Sequence, residues 1–277
     1  MKEKIGIIGF GNMGSAIAER LKAQVAVFDK DNLKTRNLKG GIKVMLSAAS
    51  VLEESDVIII AVKPQDVSSL LDTIKKPAKG ANKLFISIAA GITTGYIEKA
   101  LSNARVIRAM PNVGAKIGKS VTCICKGNFA TQEDLEVARG IFSRIGEVQE
   151  LNEDMMDAAT AISGSGPAYY FYAIETNFDK YRNSHQQFQQ DFMVALSKAA
   201  GAIGFDEKTA QFLANWTVVY SDLLLKETGL APQDLRKQVT SKGGTTEAAL
   251  EVLSRGGSLA EAVKSAVKRA KELAKGE

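Results

Sequence analysis

The chain has 277 residues, 45% of them hydrophobic and 24% charged, a balance that excludes a disordered polypeptide and a length that suggests two domains. Lys and Arg number 36 against 31 Asp and Glu, a net charge of +5. With no zinc-finger spacing, no aromatic RNA-binding motif and no Lys/Arg stripe, nucleic acid is not an expected partner. The longest wholly apolar run, Val57 to Val62, falls far short of the ~20 residues that span a bilayer, so no membrane association is expected.

The start of the chain, "MKEKIGIIGFG", enters a buried strand at once and leaves no room for an export signal, which predicts a cytoplasmic protein. "KIGIIGF" is followed by "GFGNMG": Gly9, Phe10, Gly11, Asn12, Met13 and Gly14 close the strand Ile5 to Ile8 and open a helix expected over Met13 to Ala23. In a dinucleotide-binding turn the three glycines permit the tight turn, the approach to a pyrophosphate, and close packing of helix on strand. The anion would sit at the helix N-terminus, where free N–H groups and the dipole favour negative charge.

A second strand, "VAVFD", ends at Asp29, twenty residues beyond Gly9. A carboxylate there would take the ribose hydroxyls of NAD and repel a 2'-phosphate; it could equally cap the next helix. Lys30, Lys34 and Arg36 could still bind that phosphate, so NADH and NADPH both stay open as NAD(P)H. The strands "DVIIIAV" and "KLFISIA" lead into Ala61, Val62, Lys63 and Pro64, then into Ala89, Ala90 and Gly91. Ligands of open α/β sheets bind beyond the carboxyl ends of strands, so both loops should line the cofactor crevice. Lys63 either touches the cofactor or only precedes the turn set by Pro64.

"RVIRAM" and "SVTCICK" complete the strand-helix alternation, with a helix expected over Asp66 to Ile74. Continuous Val/Ile runs of this kind predict strands buried on both faces, hence an α/β fold with a Rossmann-type doubly wound parallel sheet over residues 1–151. Cys123 and Cys125 read as reduced structural thiols, and the lone His185 gives no metal site. From Asn152, read as an N-cap before Glu153 and Asp154, only helices are expected. These form an all-helical domain over residues 152–277, with segments near Ala168, Lys208 to Lys226, Thr246 to Leu253 and Ser258 to Lys275.

With one histidine, placed outside every candidate loop, a His-dependent hydroxy-acid dehydrogenase is disfavoured. A protonated imine asks less of an enzyme: orientation, an anchor for its carboxylate, and a hydrogen-bonding group near the ring nitrogen. "SKGGTT", Ser241 to Thr246, contains all three in glycine backbone, a following helix N-terminus and threonine hydroxyls. Its plainer reading is a helix stop and restart with a threonine cap.

The run "GFGNMG", "AVKP", "SIAAG", "RAMPN", "TAISGSGPAYYF", "QVTSKGGTTEAALEVL", in this order across almost the whole chain, resembles the pyrroline-5-carboxylate reductase family. The resemblance implies NAD(P)H-dependent reduction of the cyclic imine 1-pyrroline-5-carboxylate to L-proline, the last step of proline biosynthesis. A piperideine-type imine or a non-catalytic dinucleotide sensor are the alternatives. It implies a homodimer through the helical dimerisation domain, with dimers that often assemble further into rings. Carried over by motif, Thr246 becomes the catalytic hydroxyl near the imine nitrogen, and Ser241, Gly244 and Thr245 hold the carboxylate. Pro111 and Asn112 lie beside the nicotinamide, and Ser163 to Pro167 are structural.

Four departures from the family pattern stand out. Lys242 replaces a usual proline, "MPNVGA" replaces "MPNTPA", and Trp216 replaces a glutamine. An insertion over about Asn177 to Ala195 is expected to extend a helix pair, with Phe178, Tyr181, Phe188 and Phe192 as its buried stripe.

Overall fold

The computed structural model describes residues 3–21, 24–36, 38 and 40–275. By internal packing the chain divides into two units, residues 1–110 with 123–153 and residues 111–122 with 154–277. The expected boundary at 151/152 lies two residues before the last crossing; the other two arise because residues 111–122 are fastened to the helices. There the Asn112 side-chain amide donates to the Ser163 carbonyl at 3.0 Å, and Lys116 reaches Gln238 at 2.7 Å.

The first unit alternates β1 (Ile5–Ile8), α1 (Asn12–Leu21), β2 (Val25–Phe28), β3 (Ile42–Val44), α2 (Ala48–Glu54), β4 (Val57–Ile60) and α3 (Pro64–Ala78). It continues through β5 (Leu84–Ser87), α4 (Thr94–Ala100), β6 (Arg105–Met110), β7 (Ser120–Lys126), α5 (Gln132–Phe142) and β8 (Gly146–Glu150). The helix expected over Met13 to Ala23 is α1 as far as Leu21, and Ala23 lies outside the described residues. The sheet order is β3-β2-β1-β4-β5-β6-β7-β8. Every pairing from β3 to β6 is parallel, with Ile5 opposite both Val25 and Val57.

The all-Ile/Val strand β4 is at most 2% exposed at every residue, as a central strand covered on both faces must be. On one face Val51, Leu52, Val67, Leu71 and Ile74 of α2 and α3 pack over Ile58, Ile60 and Phe85. The strand order reverses at β1, with β2 on one side and β4 on the other. That is the switch point whose carboxyl end forms a ligand crevice.

Three features depart from the sequence expectation. β3 and β8 are additional strands; both are edge-type segments with half-open burial, so no apolar run announced them. β7 is antiparallel to β6, with Met110 opposite Cys123. The connection over residues 111–119 is shorter than the roughly dozen residues a parallel crossover needs.

The second unit contains α6 (Met156–Ala159), a π turn over Thr160–Gly164, α7 (Gly166–Thr176), α8 (Phe178–Asn183), α9 (His185–Gly201), α10 (Glu207–Thr228), α11 (Pro232–Val239), α12 (Thr245–Ser254) and α13 (Leu259–Lys275). Asn152 does not begin a long helix; a short 3-10 turn over Glu153–Met155 intervenes. The insertion does not prolong one helix either. The chain breaks at Asn177 (φ −135°, ψ 42°) and at Ser184 (φ −141°, ψ 49°). At the first break, Asn177 and Thr176 side chains donate back to the Ala173 and Tyr172 carbonyls, the local competition that makes such residues poor helix interiors.

Of the expected stripe, Phe188 is buried, Tyr181 and Phe192 are half-buried, and Phe178 is 54% exposed. Tyr170 of α7 packs against Phe188 and Phe192, with ring centroids 5.9 and 5.3 Å away. Asp222 of α10 anchors this region. Its Oδ1 accepts from Tyr181 (2.8 Å) and Tyr170 (3.1 Å) and pairs with His185 Nε2 (2.9 Å), while Oδ2 meets Lys226 at 2.7 Å.

Candidate active site

In the first unit the glycine loop takes its shape from what a side chain would strike. Gly9 sits at φ +101°, and a Cβ there would lie 2.5 Å from the Ala61 carbonyl oxygen. A Cβ on Gly14 would overlap the Gly9 carbonyl, so α1 packs on the β1 turn only as glycine. A Cβ on Gly11 would meet no atom within 4 Å outside its own turn of chain; here the missing side chain opens space at the start of α1. This is the division of labour a pyrophosphate requires.

The loop opens on a cavity of about 620 Å³. Gly9, Gly11, Asp29, Lys30, Ala61, Val62 and Lys63 line it, joined by Lys34, Ser47, Gln65, Asp66, Ser69 and Thr73. Ser47, the N-cap of α2, follows the edge strand β3 and carried no sequence signal for that reason. Phe10, Asn12, Met13, Gly14 and Pro64 belong to the same turns but not to the cavity wall. Ala89, Ala90 and Gly91, the last at φ +73°, end β5 beyond that wall.

Asp29 does not cap a helix. Its Oδ2 accepts from the Phe10 N–H at 2.7 Å, its Oδ1 accepts from the Asp31 N–H at 2.8 Å, and Lys34 Nζ lies 3.3 Å away. Burial is the largest single influence on its pKa and works upward. The hydrogen bonds from Asp31 and Phe10, with Lys34, outweigh it and hold the carboxyl below its usual range. Asp29 therefore ties the glycine loop to the end of β2. Lys30 pairs with Asp66 at 2.6 Å, and Lys63 stands in extended conformation just ahead of Pro64 at the start of α3.

In the second unit "SKGGTT" forms a turn into α12. Gly243 needs its glycine, at φ +70°, and a Cβ on Gly244 would overlap the Ser241 hydroxyl. The Gly243 N–H donates to Glu247 Oε2 at 2.7 Å, and its carbonyl accepts from Arg269 Nε at 2.8 Å. Gly244 is the N-cap, with no side-chain oxygen capping the helix. The threonine-cap reading fails here: Thr245 and Thr246 are the first two helical residues, and the N-terminus is open to an anion.

Thr246 is 4% exposed, and its Oγ1 donates to Ser165 Oγ at 3.0 Å. The Thr245 hydroxyl lies 3.0 Å from the same Ser165 oxygen. Ser165 was assigned only a structural part in the sequence reading, and no spacing rule could couple it to residues 80 and 81 positions away. Ser241 and Lys242 are exposed.

Asn112 is buried, and its side chain is hydrogen-bonded through both its nitrogen and its oxygen. Besides its bond to Ser163, its Oδ1 accepts from the Gly114 and Val121 N–H groups at 3.1 and 3.3 Å. Among the described residues no cluster of three or more His, Cys, Asp and Glu could hold a metal. Cys123 and Cys125 are buried and form no disulfide, and burial pushes the Cys125 thiol up to about 12.

Compared with known proteins, residues 153–183 and 184–275 match the family model for pyrroline-5-carboxylate reductase dimerisation. Residues 4–91 match the model for coenzyme F420-dependent NADP oxidoreductases. A pyrroline-5-carboxylate reductase from Methanosarcina acetivorans is 38% identical over 99% of this chain and 98% of its own. The one from Arabidopsis thaliana is 34% identical over 98% and 95%. The chain belongs to the pyrroline-5-carboxylate reductase family.

Solved structures of the family match along nearly the whole chain. The Coxiella burnetii reductase superposes with a TM-score of 0.66 at 30% identity over 99% of both chains. The Plasmodium falciparum enzyme with NADP bound gives 0.61 at 27% identity over 99% and 98%.

Against that family pattern the departures acquire local reasons. Gly114 stands where the backbone of Lys119 crosses so closely that a Cβ would overlap the Lys119 carbonyl, and its N–H serves Asn112. A proline there would lose that bond. Trp216 stacks on Tyr220 at 4.9 Å, and Lys119 Nζ sits 5.7 Å from the Tyr220 ring. Nothing in the structure explains Lys242.

Proposed function

We propose that this protein reduces 1-pyrroline-5-carboxylate to L-proline with a reduced nicotinamide dinucleotide. The observation that carries the reading is the uncapped N-terminus of α12 with a buried threonine hydroxyl at its second residue. This is a place for a carboxylate beside a neutral hydrogen-bonding group. It suits a substrate whose nitrogen arrives already protonated, so that no side chain must deliver a proton.

The open Gly11 face, the 620 Å³ cavity and the lysines on its wall fit a dinucleotide, with Gly9, Gly11, Lys30, Lys34, Ala61, Val62 and Lys63 against it. Within the first unit the Ala89–Gly91 loop joins the nicotinamide wall. When bound, the reduced nicotinamide supplies a hydride. Ser241, Gly244 and the first N–H groups of α12 hold the substrate carboxylate, and Thr246 meets the ring nitrogen. The imine carbon gains the hydride while the C=N π pair moves to nitrogen, leaving a secondary amine.

For the choice of dinucleotide we read Lys34 and Lys30 as the 2'-phosphate ligands and NADPH as the preferred cofactor. Asp29 has already committed its oxygens to Phe10, Asp31 and Lys34. Lys34→Ala is expected to raise KM for NADPH about tenfold, the worth of one charge-assisted contact, and to leave KM for NADH within about twofold. Equal losses would return the discrimination to Asp29.

The match to a dimerisation model supports a homodimer through the helical unit. Among the described residues no helix is long and apolar enough to cross a membrane. Two cysteines outside any disulfide suit a reducing cytoplasm. The deciding assay follows NADPH and NADH oxidation with pyrroline-5-carboxylate and with its six-membered homologue. Turnover confined to the larger ring would reassign the substrate, and none with either would overturn the reductase reading.

A further inference from the structure

We propose that Arg269 of α13, together with Glu247 of α12, is a positioning residue for the substrate carboxylate: the two side chains hold the carbonyl and the N–H of Gly243 and so fix the turn that leads into α12. The inference deepens the cyclic imine carboxylate reading above, on which it rests, and concerns either ring size.

Ser241 to Gly244 form a β-turn, closed by the Gly244 N–H on the Ser241 carbonyl at 3.0 Å. Gly243 holds its third position at φ +70°, the positive angle of a type II turn. By their dihedral angles, types I and II differ mainly in the orientation of the peptide between the two central residues, here the peptide that carries the Gly243 N–H. Glu247 Oε2 accepts from that N–H at 2.7 Å, and Arg269 Nε donates to the Gly243 carbonyl at 2.8 Å. Both peptide planes that meet at Gly243 are thereby held.

Ser241, Lys242 and Gly243 are exposed, where water satisfies backbone groups without help from the protein. Two charged side chains on one exposed glycine therefore serve its geometry rather than its burial. Arg269 itself stands on a fixed support. α13 packs on α12 with Ala262, Val263, Ala266 and Ala270 buried, and Ser265 Oγ donates to the Ala248 carbonyl at 3.2 Å. Glu272 Oε2, 3.0 Å from Arg269 Nη1, holds the guanidinium from its other end.

The turn runs directly into the start of α12. There the Ala248 N–H donates to the Gly244 carbonyl at 3.2 Å, and the Thr245, Thr246 and Glu247 N–H groups come ahead of that first intrahelical bond. A turn free to change its peptide orientation would have to be ordered by the substrate, at a cost in affinity; a held turn meets the carboxylate already in place. Only the carboxylate end of the substrate gains by this, because the ring nitrogen is met by Thr246.

The test is steady-state kinetics at saturating reduced dinucleotide for wild type, Arg269→Ala, Glu247→Ala and Glu247→Gln. The substrates are pyrroline-5-carboxylate, or its six-membered homologue if that is the ring turned over, and the same ring lacking the carboxylate. Where the second turns over too slowly to time, its inhibition constant against the first is compared instead. Arg269→Ala and Glu247→Ala should each raise KM for the imine carboxylate about tenfold, the worth of one charge-assisted hydrogen bond, with kcat within about threefold. Their values for the ring without a carboxylate should stay within about twofold of wild type. Glu247→Gln, whose amide oxygen can take the same bond, should rescue most of the Glu247→Ala loss.

The Glu247 variants give an answer even if Arg269→Ala does not fold. Equal losses on both rings, or a fall in kcat alone, would overturn the inference and leave Arg269 a packing residue. Failure of Glu247→Gln to rescue would overturn it too. A wild type inactive with both imine carboxylates would instead overturn the substrate reading on which it rests.

Discussion

In the sheet unit, Gly9, Gly11 and Gly14 work by what they lack: each missing Cβ is either a collision avoided or a space kept open. In the helical unit, Ser165, Thr245 and Thr246 work by what they carry, three hydroxyls within 3.0 Å links of one another. The first kind of site is backbone geometry and tolerates almost no added atom. The second is a set of hydroxyl contacts, and it should tolerate loss of a group in stability while failing in turnover.

The contrast can be broken most directly at the glycines. Gly9→Ala forces a Cβ against the Ala61 carbonyl at a φ that alanine avoids, at a cost of about 1–3 kcal/mol in stability. It should also weaken dinucleotide binding about tenfold or more by fluorescence titration. Gly11→Ala, with no protein atom nearby, should keep the wild-type Tm and lose affinity only. Equal melting of the two variants would show that the open face at Gly11 is not a ligand face.

Thr246→Val should lower kcat/KM about ten- to a hundredfold, the range for a polar group at the reacting atom, with Tm and NADPH affinity near wild type. Unchanged kinetics would make that hydroxyl a packing group. A purely structural comparison is available at Asp222. Burial works to raise its pKa, but hydrogen bonds from His185, Lys226 and Tyr181 hold it below the usual carboxylate range. A carboxyl depressed in the folded state stabilises the protein above its unfolded pKa of about 4, and that contribution is lost as pH falls through the folded value.

Asp222→Ala should therefore destabilise the helical unit by about 3 kcal/mol at neutral pH, the scale for stranding donors of a charged acceptor. The Tm difference from wild type should persist down to pH about 4 and narrow below it. A difference that narrowed instead toward alkaline pH would contradict an ionised Asp222. Smallest is Lys242→Pro: restoring the family's proline should add about 0.4–1 kcal/mol through the unfolded chain and leave ring preference unchanged. Any shift in that preference would give Lys242 a part in the substrate site.

The two regions were also unequally legible. "GFGNMG" after an all-apolar strand predicts turn, helix and ligand together, because the physics is local: tight φ, close approach and free N–H groups within six residues. The edge strands β3 and β8 were missed because solvent on one side removes the apolar run that marks a buried strand. The antiparallel β7 follows from a short connection, which could have been counted. The insertion was read as extending a helix pair since it lacks Gly and Pro; it is helical, yet Thr176 and Asn177 back-bond to carbonyls and end α7 before it begins.

By itself the sequence determined the α/β-then-helical order and the glycine turn after β1, both properties of neighbours along the chain. Tertiary structure alone decided that Asp29 braces the glycine loop, that Asn112 is consumed in bracing residues 111–122, and that Ser165 stands between two threonines. Each depends on side chains brought together across 19 to 81 positions. A hydroxyl's proton goes to whatever partner folding places 3 Å away, and no local pattern encodes that choice.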